Sequence, residues 1–391
     1  MAQIKYNELN QGRTNLRHFD KNAPPGAYLF KEVFTDSFGS KIDVLKVNNG
    51  VLEYTILSQR GMDIGNMWYK GKQIGWQRDS SFLLHPKNVN LKKGGVHVDG
   101  TPIKEGIGWV KGFYAMDAMV GPRHFGGPCV DNKTKGKLTL HDINSYSLTD
   151  MESVAIEMEK GLVTIRGLVP IVYSEKEPTF ERETKISTYY SQNSLVRADI
   201  TKNTSVMNQV LDDGHHIQFG GALLWEGSRY ASSAPLQARD EEAKKYLENA
   251  LEIPAPTAEF FPERCYFIKP RPVSGAEGVF LQQFFKDVTV QIVRTADSSL
   301  GGFVAHRIRH YKDVTFWQQY GGWQFDKEQN GPIWYTSAIE PARTFPDNRN
   351  NKKGLTILKP GDSLAAEVEI GAVEGQGVID LERAILAAFN K

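Results

Sequence analysis

Apolar and polar positions alternate with a period of two over much of the chain. Ile42-Asp43-Val44-Leu45-Lys46-Val47 and Val51-Leu52-Glu53-Tyr54-Thr55-Ile56-Leu57 flank the triplet Asn48-Asn49-Gly50. Such alternation puts successive side chains on opposite faces of a strand. Asn and Gly tolerate the positive φ of a tight turn, so the triplet predicts a β-hairpin. The same pattern predicts strands over 154–158, 162–169, 180–190, 195–201, 279–285, 288–293 and 364–373. Helical spacing is confined to Asp240–Leu251 and Gly377–Lys391. Residues 1–40 are rich in Gly, Pro and Asn except for Tyr28–Phe34, and no internal repeat or low-complexity linker divides the chain. The expectation is an all-β protein: one large twisted β-sandwich over 39–391 with few short helices, preceded by an extension or cap over 1–38.

Composition agrees. The 391 residues include 36 Gly, 20 Phe, 15 Tyr and 7 Trp, suited to many turns and half-buried sheet surfaces. Lys and Arg number 47 against 46 Asp and Glu. That balance argues against a nucleic-acid or membrane-surface partner. The N-terminus has no signal-peptide core, and no run approaches the roughly 18 apolar residues that span a bilayer. A soluble cytoplasmic location is expected. Cys129 and Cys265 stand outside any metal spacing and read as two free structural thiols. Neither a P-loop, a dinucleotide-binding glycine motif, HExxH, GxSxG nor an EF-hand loop occurs, so nucleotide-dependent chemistry has no support.

Four segments concentrate polar chemistry. Gln59-Arg60-Gly61-Met62-Asp63-Ile64 closes a strand; Arg60 could bind a hydroxyl or anion, or simply pair with Asp63. Leu138-Thr139-Leu140-His141-Asp142 holds one histidine. Asp212-Asp213-Gly214-His215-His216-Ile217-Gln218-Phe219-Gly220 holds two, suited to proton transfer or to a metal. Neighbours on a strand face opposite ways, so only one of the two serves a given site, and His216 shares its face with Gln218. Ser337-Ala338-Ile339-Glu340-Pro341-Ala342-Arg343-Thr344-Phe345-Pro346-Asp347-Asn348 ends an apolar run on Glu340, which desolvation would make a stronger base, or which simply pairs with Arg343.

Together, and in this order, the segments resemble the aldose 1-epimerase (galactose mutarotase-like) superfamily, and its uncharacterised branch marked by an RGMDI motif, here Arg60–Ile64. The likeness runs from about Gly39 to Val373. Leu140-His141 resembles the Leu-His-Gly of the superfamily with Asp142 in place of Gly, and His216–Gly220 resembles a His-Ile-Asn-Phe-Gly stretch with Gln218 in place of Asn. The resemblance implies a galactose mutarotase-like supersandwich with a sugar groove. It implies Glu340 as general base, His216 as general acid, and Arg60 and His141 as sugar contacts, joined by Gln218, Asp63, Arg182 and Trp317. It implies anomer interconversion of a hexose or acidic sugar by acid/base ring opening, with no metal or other cofactor. Trp109, Trp225, Trp317 and Trp334 are candidate stacking platforms, and Arg78, His124 and Arg182 candidate groove residues. A groove lined by several arginines would point to an acidic sugar. The alternatives are an epimerase, isomerase or lyase acting at another carbon, and a non-catalytic carbohydrate-binding protein. The partner is a small sugar, and a homodimer is left open.

Overall fold

A computed structural model describes residues 2–76, 78–96, 102–173, 178–322 and 333–391. Among them, two large antiparallel sheets dominate, one of nine strands and one of thirteen. The predicted hairpin is present: Lys41–Asn48 pairs with Leu52–Leu57, Asn48 opposite Glu53. Ala2–Lys5 adds to the edge of the nine-stranded sheet beside Asp150–Glu159, and Gly12–Asn15 pairs with Tyr28–Thr35 at the edge of the other.

The sheets meet over an apolar core. Val47, Ile56, Ile64, Ile217 and Ile339 come from the thirteen-stranded sheet, Ile156, Ile165, Ile186 and Val368 from the nine-stranded one. A second cluster covers the other face of the thirteen-stranded sheet. There Val44, Leu57, Ala118 and Ala338 meet Trp109, Phe113 and Phe125 from long connections. That face carries the cavity described below. The helix Gln376–Phe389 forms as its spacing predicts and buries Val378, Leu381, Ile385 and Ala388 in a third cluster. No helix among the described residues is long and apolar enough to cross a membrane.

Two expectations need correction. The segment 279–285 is not a strand; it holds a single 3-10 turn, Leu281–Gln283. The buried Glu369 carboxylate accepts the Phe280 and Leu281 amides, each at 2.8 Å, so these donors are not offered to a neighbouring strand. The helix expected over 240–251 is short. Asp240 caps Glu241–Lys245 through the Ala243 amide, and a separate 3-10 turn, Leu247–Asn249, follows. Only Ala243 of the first helix is buried, so no apolar stripe holds a longer one.

Candidate functional site

The strand Gly214–Phe219 lies between Asp117–Val120 and Ile333–Ala342. The pairs Gly214–Ala342 and Ile217–Ile339 bracket a register that sets His216 directly opposite Glu340. Ile217 and Ile339 point into the core between the sheets, so His216 and Glu340 point away from it. A side chain on Gly214 would strike Ala342, which explains glycine at this strand entry. His215 faces the opposite way, its Nδ1 lying 3.0 Å from Asp117.

His216 Nε2 lies 3.1 Å from Glu340 Oε1, and both side chains are buried. Burial strips water from the Glu340 carboxylate, and Glu263 adds like charge, so its pKa stands well above the usual value. Burial pushes His216 down to about 3. His216 Nδ1 meets the Gln218 side-chain amide. Around the imidazole stand Phe113 and Trp317, each 5.2 Å away between ring centroids, and His141 at 5.7 Å.

His216, Glu340, His141, Trp109 and Trp317 line one cavity of about 420 Å³. His141 reaches it from a turn in which His141 and Asp142 have φ of 52° and 57°. Glycine is favoured in that conformation, and Asp is among the few other residues that adopt it. Here Asp142 accepts the Arg123 amide and the Tyr173 hydroxyl. The turn therefore keeps its shape without the glycine. Burial, with His216 next, drives His141 well below its ordinary pKa.

Sequence reasoning missed the charged lining residues Arg239, Asp240 and Glu263; Asp347, within the fourth segment, also lines the cavity. Arg239 reaches Asp240 at 2.8 Å and Glu263 at 2.9 Å, and donates to Cys265 Sγ at 2.8 Å. Glu263 also accepts the Trp317 indole N–H at 3.0 Å. Asp240 was visible only as the first residue of an expected helix; Arg239 and Glu263 flank strands as charged residues that sequence cannot separate from a solvated surface.

Arg60, Asp63 and Arg182, expected at the sugar, do not line this cavity. They belong to a fully buried polar network that joins the two sheets. Arg60 donates to the Ser145 carbonyl and lies 4.5 Å above the Tyr146 ring. Asp63 binds the Ser145 hydroxyl and accepts the Met119 amide. Arg182 donates to the Gly61 carbonyl and Asn144 and lies 3.4 Å from Asp199. A buried guanidinium needs several acceptors, and the turn at Gly61 supplies them. Gln218 is also off the cavity wall and touches it only through His216.

The remaining candidates divide. Arg78 braces the wall by donating to the Val110 and Phe113 carbonyls. His124 is buried against the Gly127 carbonyl at 2.7 Å. Trp225 is 69% exposed and lies elsewhere. The side chain of Trp334 falls outside the described residues. Cys129 and Cys265 are free thiols.

A family model described as a domain of unknown function, DUF4432, matches residues 39–372. The chain belongs to the DUF4432 family. Solved structures place this DUF4432 chain among galactose mutarotase-like folds. A Klebsiella pneumoniae protein provisionally assigned as an aldose 1-epimerase is 20% identical, with a TM-score of 0.77 over 99% of this chain and 95% of its own. A galactose mutarotase-like protein from Clostridium acetobutylicum is 14% identical, with a TM-score of 0.59 over 90% of this chain and 100% of its own. A galactose 1-epimerase from Lactobacillus acidophilus is 10% identical, with a TM-score of 0.53 over 89% and 99%. These likenesses establish the β-sandwich fold of the DUF4432 chain. No curated protein matches the sequence.

Proposed function

We propose that this protein is an aldose 1-epimerase that opens and recloses a sugar ring with the His216–Glu340 pair. The observation that carries the reading is that buried pair, lining a cavity of about 420 Å³ beside Trp109 and Trp317. Cavities of a few hundred Å³ with aromatic walls and a few polar groups suit a small organic ligand.

In the forward direction, Glu340 as carboxylate takes the proton from the anomeric hydroxyl while His216 as imidazolium gives one to the ring oxygen. The C1–O5 bond breaks and C1=O forms. Rotation about C1–C2 presents the other carbonyl face, and closure returns both protons. The pair holds one proton in total at both ends of ring opening: on His216 before, on Glu340 after. The raised Glu340 and lowered His216 pKa values favour the second arrangement in the empty site. That is the arrangement needed for reclosure, so the pair is set for the return half of the cycle. His141 and Trp317 flank the imidazole and contact the sugar, and Gln218 orients the ring through Nδ1.

Exchange NMR between α and β anomers across a sugar panel tests the reading. Wild-type protein accelerates exchange of at least one aldose, and Glu340→Gln and His216→Ala each lower it by about 10²-fold or more. Undiminished exchange in both variants would remove the role assignment.

A further inference from the structure

The charge of the cavity wall bears on which sugar the proposed site accepts. Asp240, Glu263 and Asp347 line it, and Arg239 is the one guanidinium among the described lining residues. Its charge is already engaged: Nε on Asp240, Nη2 on Glu263 and Nη1 on Cys265. No ion pair holds Asp347 among the described residues, and its Oδ1 accepts only the Asn348 amide and the Asn351 side chain. His141 and His216 add no compensating charge, because burial keeps both neutral. Buried between these groups, Glu340 leaves Oε1 without an aligned hydrogen-bond donor. The arginines that would have favoured an acidic sugar, Arg60 and Arg182, are consumed in the buried network.

We infer that the site is selective for an amino-substituted aldose, whose ammonium is drawn to the carboxylates Asp240, Glu263 and Asp347 that line the cavity, and that it rejects uronates and sugar phosphates. The inference rests on the sugar reading of the same cavity. Three lining carboxylates stand against one occupied guanidinium, and Lys352, which feels Asp347, is itself paired with Asp212 at 2.7 Å; the resulting negative potential attracts a cation and repels an anion. An ammonium also supplies three donors to acceptor-rich walls, where a carboxylate would supply none. Surface-screened charges lose this effect in salt, but charges in a partly enclosed cavity lose less of it.

The test compares D-glucosamine, D-glucose and D-glucuronate, and the matching galacto sugars, by calorimetry on the intact protein at about pH 6.5, below the roughly 7.7–8 of an α-amino group. The amino sugar is expected to bind about tenfold tighter than the parent hexose, equivalent to about 1.4 kcal/mol, and the uronate more weakly than either. The preference should shrink as pH rises and the amine loses its proton. Asp347→Asn should narrow the ratio of amine to parent hexose several-fold. Equal or tighter uronate binding, an amino sugar no tighter than its parent, or no binding by any of the six overturns the inference. Anomer exchange on the same sugars separates the two readings. Exchange of every sugar without charge preference leaves the epimerase reading and removes this one. Selective amine binding without any exchange does the reverse.

Discussion

At the scale of single residues, the site turns on one proton shared by two side chains. A pair coupled across 3.1 Å titrates as a unit, so its apparent pKa values belong to the pair. Below the lower value both groups are protonated and no base remains. Above the upper value both have lost protons and no acid remains. Because His216 is lowered to about 3 and Glu340 is raised, the one-proton state spans a wide range. Anomer exchange should hold a plateau through mildly acidic pH and fall as pH rises through the raised Glu340 value. An initial-rate pH profile checks this, and exchange that climbs steadily into the alkaline range would contradict it. Gln218 supplies a second check. Gln218→Glu places a carboxylate on Nδ1, which favours imidazolium. The acid limb should move up, and the 15N resonances of His216 should show protonation at higher pH than in wild type. A substitution that only loosened packing would lower the rate without moving either. His216 and Gln218 were legible in sequence because alternation puts both on one face. Only His216 lines the cavity, because sharing a face does not say which of two neighbours reaches it.

At the scale of elements, the RGMDI turn works as an anchor rather than a sugar contact. Its Gly61 and Met62 carbonyls accept from Arg182 and Arg197, which come from adjacent strands of the opposite sheet. Arg197 also pairs with Asp117 at 3.3 Å and Asp199 at 2.9 Å. Asp117 sits on the strand beside His216, where Ala118 is opposite His216. The network thus ties the nine-stranded sheet to the strands that carry the site. Arg197→Met would strand two buried carboxylates and should cost about 3–5 kcal/mol in urea unfolding. A loss below about 1 kcal/mol would show that the network contributes little. Most strands were readable because period-two alternation survives wherever one face is buried. The segment 279–285 was not, because Val279 and Leu281 are buried in the cluster that also holds the C-terminal helix and the Phe280 and Leu281 amides go to Glu369. Nor was the role of Arg60. A charged motif at a turn reads alike whether it meets solvent, ligand or a buried partner, and only tertiary contacts separate these.

At the scale of the whole molecule, burial of histidine makes the fold sensitive to acid. Of the nine histidines, six have lowered pKa values with burial as the leading cause: His85, His124, His141, His216, His306 and His310. In the unfolded chain each takes a proton near pH 6.5, whereas in the fold His124 and His310 wait until about 4 and His216 and His306 until about 3. A base with a depressed folded pKa gives stability that is complete above its unfolded pKa and is lost as pH falls below it. For a fully buried histidine such as His306 the loss is about 1.4 kcal/mol per pH unit. Raised carboxyls act in the opposite sense. Asp63, raised to about 6 by burial, and Glu340 bind protons in the fold that the unfolded chain has released. Asp43, Asp142, Asp313, Glu367 and Glu369 are raised by burial too and act in the same sense as Asp63 and Glu340. The six histidines therefore oppose these carboxyls as pH falls from about 6.5, and the histidines lead because their unfolded values lie inside the interval. Below about pH 4 the loss continues as Asp199, held near 2 chiefly by Arg197 against its own burial, stops outbidding the unfolded chain for charge. The melting temperature should fall when pH is lowered from 7 to 5. His306→Gln, which keeps a donor for the Tyr311 carbonyl now 3.0 Å from Nε2, should flatten that slope by about one proton. A melting temperature that is level or rising over that interval would mean that the raised carboxyls dominate, and that the buried histidines are not what sets the response of this fold to acid.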